Sequence, residues 1–250
     1  MTDTEFAAVS RTAHGKVNSR YFRIPKPSQT GSVDQATQST LKNSVLPLSR
    51  AARIVKRVED ILLSFLLLVL TGPLMLLVGI AIKLDSRGPV LFRQPRHGLN
   101  GAEIRVLKFR TMHARAEDKL ATRQTSRGDP RVTRVGAFLR QHSIDELPQL
   151  LNVLFGTMSL VGPRPHAPAT TAGGLSLQDA VPAYPARNRV KPGITGWAQV
   201  SGCRGNLDTV EKAIRRVEHD LYYIENWSLL FDLRIISMTV GLVLYDEQAF

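Results

Sequence analysis

The longest apolar stretch of this chain is Ile61–Ile82, with the sequence ILLSFLLLVLTGPLMLLVGIAI. It carries no charged residue, and its only polar side chains are those of Ser64 and Thr71. As a straight helix that rises about 1.5 Å per residue it would measure roughly 33 Å, which is enough to cross the hydrocarbon core of a bilayer. The stretch therefore predicts a membrane helix, and the other elements are assigned around it.

Two features of this stretch bear on whether the helix crosses the bilayer or enters and leaves on one face. Gly72-Pro73 lies near its middle, and we expect the helix to bend or break there, because proline removes a backbone donor and clashes with the preceding turn. Both flanks are basic, with Arg50, Arg53, Lys56 and Arg57 before the stretch and Lys83, Arg87, Arg93 and Arg96 after it. Positive residues mark the cytoplasmic side of a membrane segment, so the flanks favour a re-entrant helix–break–helix over a spanning helix. A buried soluble helix is the least favoured interpretation, given the length of the stretch.

The composition is that of a basic chain with a folded core. Its 250 residues are 43% hydrophobic, enough for one domain of about 150–200 residues plus appendages. The net charge of +12 and the pI near 10.3 imply an anionic partner, and nucleic acid, anionic lipid and a phosphorylated substrate all satisfy that condition. Cys203 is the only cysteine, which excludes an intramolecular disulfide and a cysteine-based metal cluster.

The polar N-terminal region completes the domain organisation. Residues 1–50 are rich in Ser, Thr, Gln and charged residues and predict a disordered tail. The first apolar run begins near residue 54, so we expect no secretory signal peptide. The predicted organisation is a polar tail (1–50), a re-entrant membrane helix (51–83) and a domain that ends in an interfacial helix (84–250).

A β-hairpin is predicted directly after the membrane helix. Short β-prone runs lie at Val90–Arg93 and Ile104–Phe109, and Asn100-Gly101 between them is a strong hairpin-turn signal. Helical patterns follow at Arg134–Arg140 and Glu146–Phe155. The predicted fold class is therefore α+β and mainly helical, with a re-entrant membrane helix–break–helix, a small β-hairpin and a cytosolic domain with interfacial helices.

The clearest helical pattern is Leu207–Asn226, where apolar residues recur at spacings of three and four. Asp208 and Glu211, three residues apart, resemble a capping box at its start.

A second apolar stretch, Trp227–Leu244, is interrupted by Asp232 and Arg234. It predicts either a helix that lies in the membrane interface or an ordinary core helix, and its pattern favours neither over the other.

The densest cluster of candidate catalytic side chains lies in His142–Pro148, which contains Asp145 and Glu146. Pro148 suits the start of a helix, where its missing N–H costs least, and this places both carboxylates at a helix N-terminus. Acidic residues there are often only caps. The surrounding cations favour a chemical role instead, and they are Arg131, Arg134 and Arg140 before the pair and Arg164, Arg187, Arg189 and Lys191 after it.

These charges predict phosphate chemistry. Opposite charges and a helix N-terminus both favour an ionised carboxylate, which can attack a phosphorus atom and form an acyl phosphate. Of two adjacent carboxylates, one can attack while the other holds a divalent metal, and Mg²⁺ bridging to substrate phosphates is the expected type. Arg164 lies in the rigid turn Gly162–Pro165, and guanidinium groups match phosphate oxygens at two points. Lys108 and Arg110 add cations where the predicted hairpin closes.

Together these segments resemble the bacterial sugar transferases, the monotopic phosphoglycosyl transferases that act on polyprenyl phosphate. The similarity covers roughly residues 53–240 and follows the order of the family's conserved blocks. The matching blocks are Lys56-Arg57 to Asp60, Gly88–Gln94, Lys108–Met112, Ser143–Gln149, Met158–Pro165 and Val190–Val200.

The resemblance implies a transfer in two steps. The Asp145 carboxylate would attack the β-phosphate of a UDP-sugar and expel UMP, and undecaprenyl phosphate would then take the sugar phosphate from Asp145. Glu146 matches the family's Mg²⁺ ligand, and Lys108, Arg140 and Arg164 match its phosphate-binding cations. The resemblance also implies a re-entrant anchor, and so a monotopic protein of the bacterial inner membrane with its catalytic domain on the cytoplasmic face.

Two positions depart from the pattern of many family members. Those members have aspartate in place of Thr157 and arginine in place of Cys203, and Arg204 is the candidate to substitute for that arginine as a phosphate-binding cation. The stretch Arg216–Ser228 is similar to members that transfer hexose 1-phosphate for exopolysaccharide synthesis, so UDP-glucose or UDP-galactose is the expected donor.

The alternative is a non-catalytic, membrane-anchored basic protein that binds anionic lipid or nucleic acid. Such a protein typically presents one continuous basic stripe, whereas the cations here accompany a carboxylate pair and rigid Pro/Gly turns. We therefore expect an enzyme without a nucleic-acid partner, and a homo-oligomer stays open.

Overall fold

The computed structural model describes residues 49–116, 125 and 128–245, and helix predominates over strand within them. The predicted disordered tail lies outside these residues except for Ser49 and Arg50. The helices are α1 (Arg50–Asp85), α2 (Arg134–Gln141), α3 (Gln149–Leu154), α4 (Leu177–Ala180), α5 (Trp197–Val200), α6 (Val210–Glu225) and α7 (Leu229–Tyr245). The strands are β1 (Leu91–His97), β2 (Glu103–Phe109), β3 (Ser159–Val161), β4 (Thr171–Ala172), β5 (Leu175–Ser176) and β6 (Gly193–Thr195). The mixed, mainly helical fold class is therefore confirmed.

The predicted membrane stretch forms most of α1, which by length and composition is able to cross a membrane. The structure shows no break at Gly72-Pro73. Instead, α1 continues as one helix with Pro73 inside it. Proline costs about 3 kcal/mol inside a helix, and the leucine-rich turns on either side are strong helix formers that hold the helix together across it.

Both ends of α1 are attached to the domain that follows it. Near the start, the Arg57 guanidinium donates to the carbonyls of Val153 (2.6 Å) and Leu154 (2.7 Å) at the end of α3. At its end, Asp85 Oδ2 accepts a hydrogen bond from the backbone N–H of Val135 in α2 (3.1 Å). One face of α1 therefore packs on the domain while its other face stays exposed and apolar.

Arg110 terminates α1 instead of joining the candidate phosphate site. Its side chain is buried and donates to the carbonyls of Ser86 (2.7 Å) and Arg87 (2.8 Å) and to the Ser86 hydroxyl (3.0 Å). These carbonyls lie just beyond the helix, where backbone acceptors lack helical partners. Arg110, which the sequence indicated only as one more cation near the hairpin, therefore has a structural contact at the end of α1.

The β-hairpin is confirmed and is longer than predicted. Strands β1 and β2 pair antiparallel from Leu91 opposite Phe109 to His97 opposite Glu103. Asn100 adopts a left-handed conformation (φ 55°) in the turn, which asparagine tolerates better than most residues. The Asn152 side chain of α3 bonds the backbone of β2, with its Oδ1 2.8 Å from the N–H of Leu107. This contact fixes the strand that carries Lys108.

A short parallel pair, β3 with β6, supports the segment that carries Arg164. The two strands approach closely at Gly162 and Gly193, where a Cβ on Gly193 would lie 2.1 Å from the Gly162 nitrogen. Glycine is needed at this contact for steric reasons. The pairing of β3 with β6 therefore explains why glycine occurs both at Gly162 and, about thirty residues later, at Gly193.

Helix α6 begins one residue later than the capping box predicted. Its N-cap is Thr209, whose hydroxyl accepts from the Lys212 N–H (3.3 Å), and Asp208 forms an exposed ion pair with the Lys212 side chain instead. The buried face of α6 packs into the main core through Val217, Leu221 and Ile224.

Helix α7 has features both of a core helix and of an interfacial helix, the two alternatives that its sequence left open. Asp232 and Ile235 are completely buried, as in a core helix. Leu230, Leu233 and Val240 are exposed, and they give the opposite face an apolar surface. The interruption at Asp232 is therefore a buried polar contact and not a break in the helix.

Candidate active site

Asp145 and Glu146 lie in a 3₁₀ turn, Ile144–Glu146, that joins α2 to α3. The prediction that they open the following helix was wrong, because α3 begins only at Gln149, after Pro148. Ser143 turns the chain with a left-handed backbone (φ 54°), a conformation that costs a non-glycine residue roughly 1–2 kcal/mol. This turn directs the Asp145 side chain inward, where the residue is only 9% exposed.

Glu146 is held by two of the predicted cations. Lys108 Nζ lies 2.8 Å from Glu146 Oε1, and the Arg164 guanidinium binds both carboxylate oxygens, with Nη1 3.0 Å from Oε2 and Nη2 bonded to Oε1. Burial alone would raise the pKa of Glu146, but the charges and hydrogen bonds of Arg164 and Lys108 outweigh it and hold this pKa well below the usual value. Glu146 is therefore an ionised carboxylate held in a fixed orientation.

Asp145 differs from Glu146 in the direction of its pKa shift. Burial raises the pKa of Asp145 to about 6; Lys108, Arg140 and Arg164 act against the rise, while the negative charge of Glu146 adds to it. The expectation that nearby cations and a helix N-terminus would favour ionisation therefore holds for Glu146 but fails for Asp145, because desolvation is the larger effect. Within the described part of the chain no group donates a hydrogen bond to the Asp145 carboxylate, so its oxygens are available to a ligand.

Arg140, at the end of α2, completes the group that the structure brings together. Its Nε donates to the Thr111 hydroxyl (2.8 Å), which fixes the guanidinium, and its positive charge acts on Asp145. Lys108, Arg140 and Arg164 come from a strand, a helix and a loop, and all three surround the carboxylate pair. Such an arrangement can bind several oxygens of a phosphate group beside a carboxylate.

Arg204 lies in the loop between α5 and α6, on a different part of the chain from Lys108, Arg140 and Arg164. Its role as a phosphate-binding cation stays a prediction. Thr157 bonds to the backbone and side chain of Asn152, so it helps to fix the end of α3. Cys203 is a free thiol beside the His219 ring, with Sγ 3.9 Å from Nδ1.

Two residues that position Arg164 were not identified from the sequence in that role. Arg187 donates from Nη2 to the Arg164 carbonyl (2.7 Å) and forms a fully buried ion pair with Asp220, with Nη2 2.7 Å from Oδ2. From the sequence, Arg187 is only one of several cations near the carboxylate pair, and Asp220 has no assigned role. Their spacing of 33 residues gives no local signal of the ion pair.

Further cations surround Arg164. Burial, together with the positive charge of Arg164, lowers the pKa of Arg96 to about 10; burial and the charges of Arg164 and Arg187 lower that of Arg216 to about 10, against the opposing charge of Asp220. The same cations and burial hold the pKa of His166 well below its usual value, so this ring is neutral. The positive charge on this side of the site exceeds the nearby negative charge and suits an anionic ligand.

The donor set fits a magnesium ion of the substrate-bridging kind. Mg²⁺ is commonly held by one or two carboxylates together with substrate phosphates and water, and Asp145 and Glu146 supply two adjacent carboxylates. Across the residues that the structure describes, no group of three or more His, Cys, Asp or Glu side chains is able to enclose a metal. An all-protein metal cage is therefore not what these residues form.

Comparison with known proteins gives consistent matches. A family model described as bacterial sugar transferase matches residues 51–246. The chain is 55% identical to an undecaprenyl-phosphate glucose phosphotransferase of Komagataeibacter xylinus over 204 residues. These residues make up 82% of this chain and 38% of that protein. It is 53% identical over 205 residues to a UDP-glucose:undecaprenyl-phosphate glucose-1-phosphate transferase of Caulobacter vibrioides, covering 82% of this chain and 75% of that protein.

A third relative is an exopolysaccharide production protein of Rhizobium leguminosarum, 49% identical over 187 residues that cover 75% of this chain and 94% of that protein. The chain thus spans less than half the length of the Komagataeibacter relative and most of the length of the Rhizobium one. The family match and these identities agree with the order of motifs and with the carboxylate pair among cations, and they show that the chain belongs to the bacterial sugar transferase family.

Proposed function

We propose that this protein transfers a hexose 1-phosphate, with glucose 1-phosphate favoured over galactose 1-phosphate, from a UDP-sugar to undecaprenyl phosphate and releases UMP. The names of the Komagataeibacter and Caulobacter relatives support glucose and the lipid acceptor, and that of the Rhizobium relative supports a place in exopolysaccharide synthesis. One observation carries the proposal: the buried Asp145 carboxylate, which no donor among the described residues contacts, lies beside the Glu146 carboxylate that Lys108 and Arg164 hold.

The reaction proceeds through a covalent intermediate on Asp145. A carboxylate oxygen of Asp145 attacks the β-phosphorus of the donor, and the bond from that phosphorus to the bridging oxygen breaks, so UMP leaves with the oxygen and the electron pair. The sugar phosphate is then an acyl phosphate on Asp145. An oxygen of undecaprenyl phosphate attacks the same phosphorus, and the Asp145 carboxylate is released.

Lys108 and Arg164 bind the diphosphate of the donor in this scheme. The Glu146 carboxylate occupies the Arg164 fork through two oxygens, as a phosphate group would. The phosphate oxygens of a bound donor would take the place of Glu146 at these cations, and Glu146 would then be the residue that holds Mg²⁺. The ion, if bound, would supply positive charge that stabilises the departing phosphate.

The same proposal includes a re-entrant α1 in the inner membrane, with the catalytic domain on the cytoplasmic face. Arg57 near the start of α1 is bonded to α3, and Asp85 at its end is bonded to α2. The connection between α2 and α3 is a compact turn that carries the ionisable residues Asp145 and Glu146. Both ends of α1 are therefore attached to one compact part of the domain, which supports an anchor that bends at Gly72-Pro73 and returns to the side it started from.

Purified protein in detergent or nanodiscs tests the chemistry. UDP-glucose, undecaprenyl phosphate and Mg²⁺ should give UMP, and the variant Asp145→Asn should abolish its release. Asp208→Asn, at an exposed carboxylate far from the site along the chain, is the matched control and should keep full turnover. Full turnover by Asp145→Asn would refute the covalent mechanism.

Cysteine labelling tests the membrane arrangement separately. Arg50→Cys and Arg87→Cys, introduced one at a time with Cys203→Ser, place a thiol at an exposed position at the start of α1 or just after its end. Both should react with a membrane-impermeant reagent only from the cytoplasmic side. Reaction from opposite sides would replace the re-entrant helix with a spanning one.

A further inference from the structure

A groove of about 460 Å³ lies between the second half of α1 and helix α2. Leu77, Val78 and Ala81 line it from α1, and Val135, Phe138 and Leu139 line it from α2. The volume falls within the roughly 300–1,000 Å³ that is usual for small-molecule sites. The one charged residue in its lining is Arg134, at the start of α2. The groove therefore suits an apolar molecule.

The groove has a rigid floor and open walls. Val78 and Leu139 are 7% and 1% exposed and form part of a small apolar core with Phe109 and Ile82. Leu77 and Phe138, by contrast, are 64% and 55% exposed. An exposed apolar side chain on the membrane helix is in contact with lipid if α1 enters the bilayer as proposed above.

The floor of the groove belongs to the same small apolar core as the residues on either side of the candidate active site. Ile144 and Leu147, which flank Asp145 and Glu146 in the chain, pack against the same small core as Val78 and Leu139. Helix α2 also connects the two places, because Val135 lines the groove and Arg140 lies beside Asp145. At about 1.5 Å per residue, these two positions are only about 8 Å apart along the helix axis.

We propose that this groove holds the first isoprene units of the acceptor's polyprenyl chain and so presents its phosphate to Arg140 and Asp145. The inference rests on the proposed function, since it assigns a place to the lipid substrate of that reaction. Helix α2 carries the apolar lining of the groove and then, at its end, Arg140 beside Asp145, and that order of apolar and charged groups matches a polyprenyl phosphate. The chain enters from the bilayer, while the nucleotide sugar approaches the same carboxylate from the aqueous side.

Two adjacent leucines provide a matched test. Leu77 and Leu76 are 64% and 68% exposed on the same helix, but only Leu77 lines the groove. Leu77→Trp and Leu76→Trp are compared in nanodiscs by two measurements. The first is the burst of UMP from UDP-glucose without an acceptor, which reports only the donor half-reaction. The second is the KM for undecaprenyl phosphate in steady state.

Leu77→Trp should fill the groove and raise the KM for undecaprenyl phosphate about tenfold or more relative to Leu76→Trp, because the chain loses apolar contacts. A phosphate with a single isoprene unit should show a much smaller difference between the two variants. Equal acceptor KM values in the two variants would overturn the groove assignment and mean that bulk phospholipid fills the groove. Absence of a UMP burst from the unaltered protein would instead refute the proposed function, and the groove assignment with it.

A second pair of variants is used if the tryptophan of Leu77→Trp disturbs the fold, so that this variant gives no UMP burst. Phe138→Ala removes an exposed wall of the groove, and Phe155→Ala removes a phenylalanine that is 75% exposed and does not line it. Phe138→Ala alone should raise the acceptor KM. Equal KM values in this pair would also overturn the assignment.

Discussion

The Arg164 guanidinium holds both carboxylate oxygens of Glu146, with Nη1 3.0 Å from Oε2 and Nη2 bonded to Oε1. This two-point ion pair keeps Glu146 ionised, while the adjacent Asp145 is buried and accepts no hydrogen bond from the residues that the structure describes. Two neighbouring carboxylates are thereby set to different protonation behaviour by their surroundings, as their different proposed roles require.

Glu146→Gln should lower the rate of UMP release about a hundredfold, because an amide is a poorer ligand for a divalent metal than a carboxylate. The rate is measured at saturating UDP-glucose and undecaprenyl phosphate. Glu225→Gln, at the exposed end of α6, is the control and should leave the rate unchanged. A loss of less than twofold in Glu146→Gln would contradict the role given to this carboxylate.

The UMP burst should depend on pH through Asp145. Only the ionised carboxylate attacks, and burial raises its pKa to about 6, so the burst rate should fall as the pH is lowered through about 6 and be level above about 7. In Glu146→Gln the fall should move to lower pH, because the charge of Glu146 contributes to the raised pKa. Rapid-quench measurement of the burst between pH 4.5 and 8 tests both statements, and a fall centred at pH 4 would contradict them.

Asp145→Asn should make the fold more stable at pH 8. The unfolded chain releases this proton near its ordinary pKa of 3.8, whereas the folded protein keeps it until about pH 6, so the ionised group destabilises the fold at higher pH. The gain in Tm over the unaltered protein should shrink as the pH is lowered from about 6 towards 3.8. Asp208→Asn is the control and should show no gain, because a hydrogen bond from Lys212 lowers the pKa of this exposed carboxyl. A gain in Tm of Asp145→Asn that did not change with pH would contradict the burial argument.

Arg110→Ala should destabilise the protein by about 3 kcal/mol, because it removes a buried side chain and the donors of the carbonyls that follow α1. Arg110→Lys should not restore stability, since an ammonium lacks the fork that reaches both Ser86 and Arg87. Denaturant unfolding in detergent measures the change. Arg115→Ala, at an exposed position shortly after, is the control and should have little effect.

Lys56→Met should destabilise the junction of α1 and α7 by about 3–5 kcal/mol, because it removes the cation from a buried cluster of three carboxylates. Lys56 Nζ lies 2.8 Å from Asp232 Oδ2, 3.3 Å from Asp60 Oδ1 and 3.6 Å from Glu59 Oε2. Thermal unfolding in nanodiscs measures the effect. Lys212→Met, which breaks only an exposed ion pair, should leave Tm unchanged.

The amino-acid sequence by itself determined the local elements of this protein. The membrane stretch, the Asn-Gly hairpin and the helices around residues 134–140 and 207–226 all follow from patterns a few residues long. The sequence also indicated that Asp145, Glu146, Lys108, Arg140 and Arg164 come together, because the family-like motifs carry them in a fixed order. Periodicity, turn chemistry and motif order are local properties of the chain, which is why they can be read without the fold.

Only the tertiary structure decided which charged groups are buried and which partner each one finds. It assigned Arg110 to the end of α1 and Arg187 to the support of Arg164. It also separated the pKa of Asp145 from that of Glu146. Desolvation and ion pairing depend on side chains far apart in the chain, such as Lys108 and Arg164 around Glu146, so no local pattern contains them.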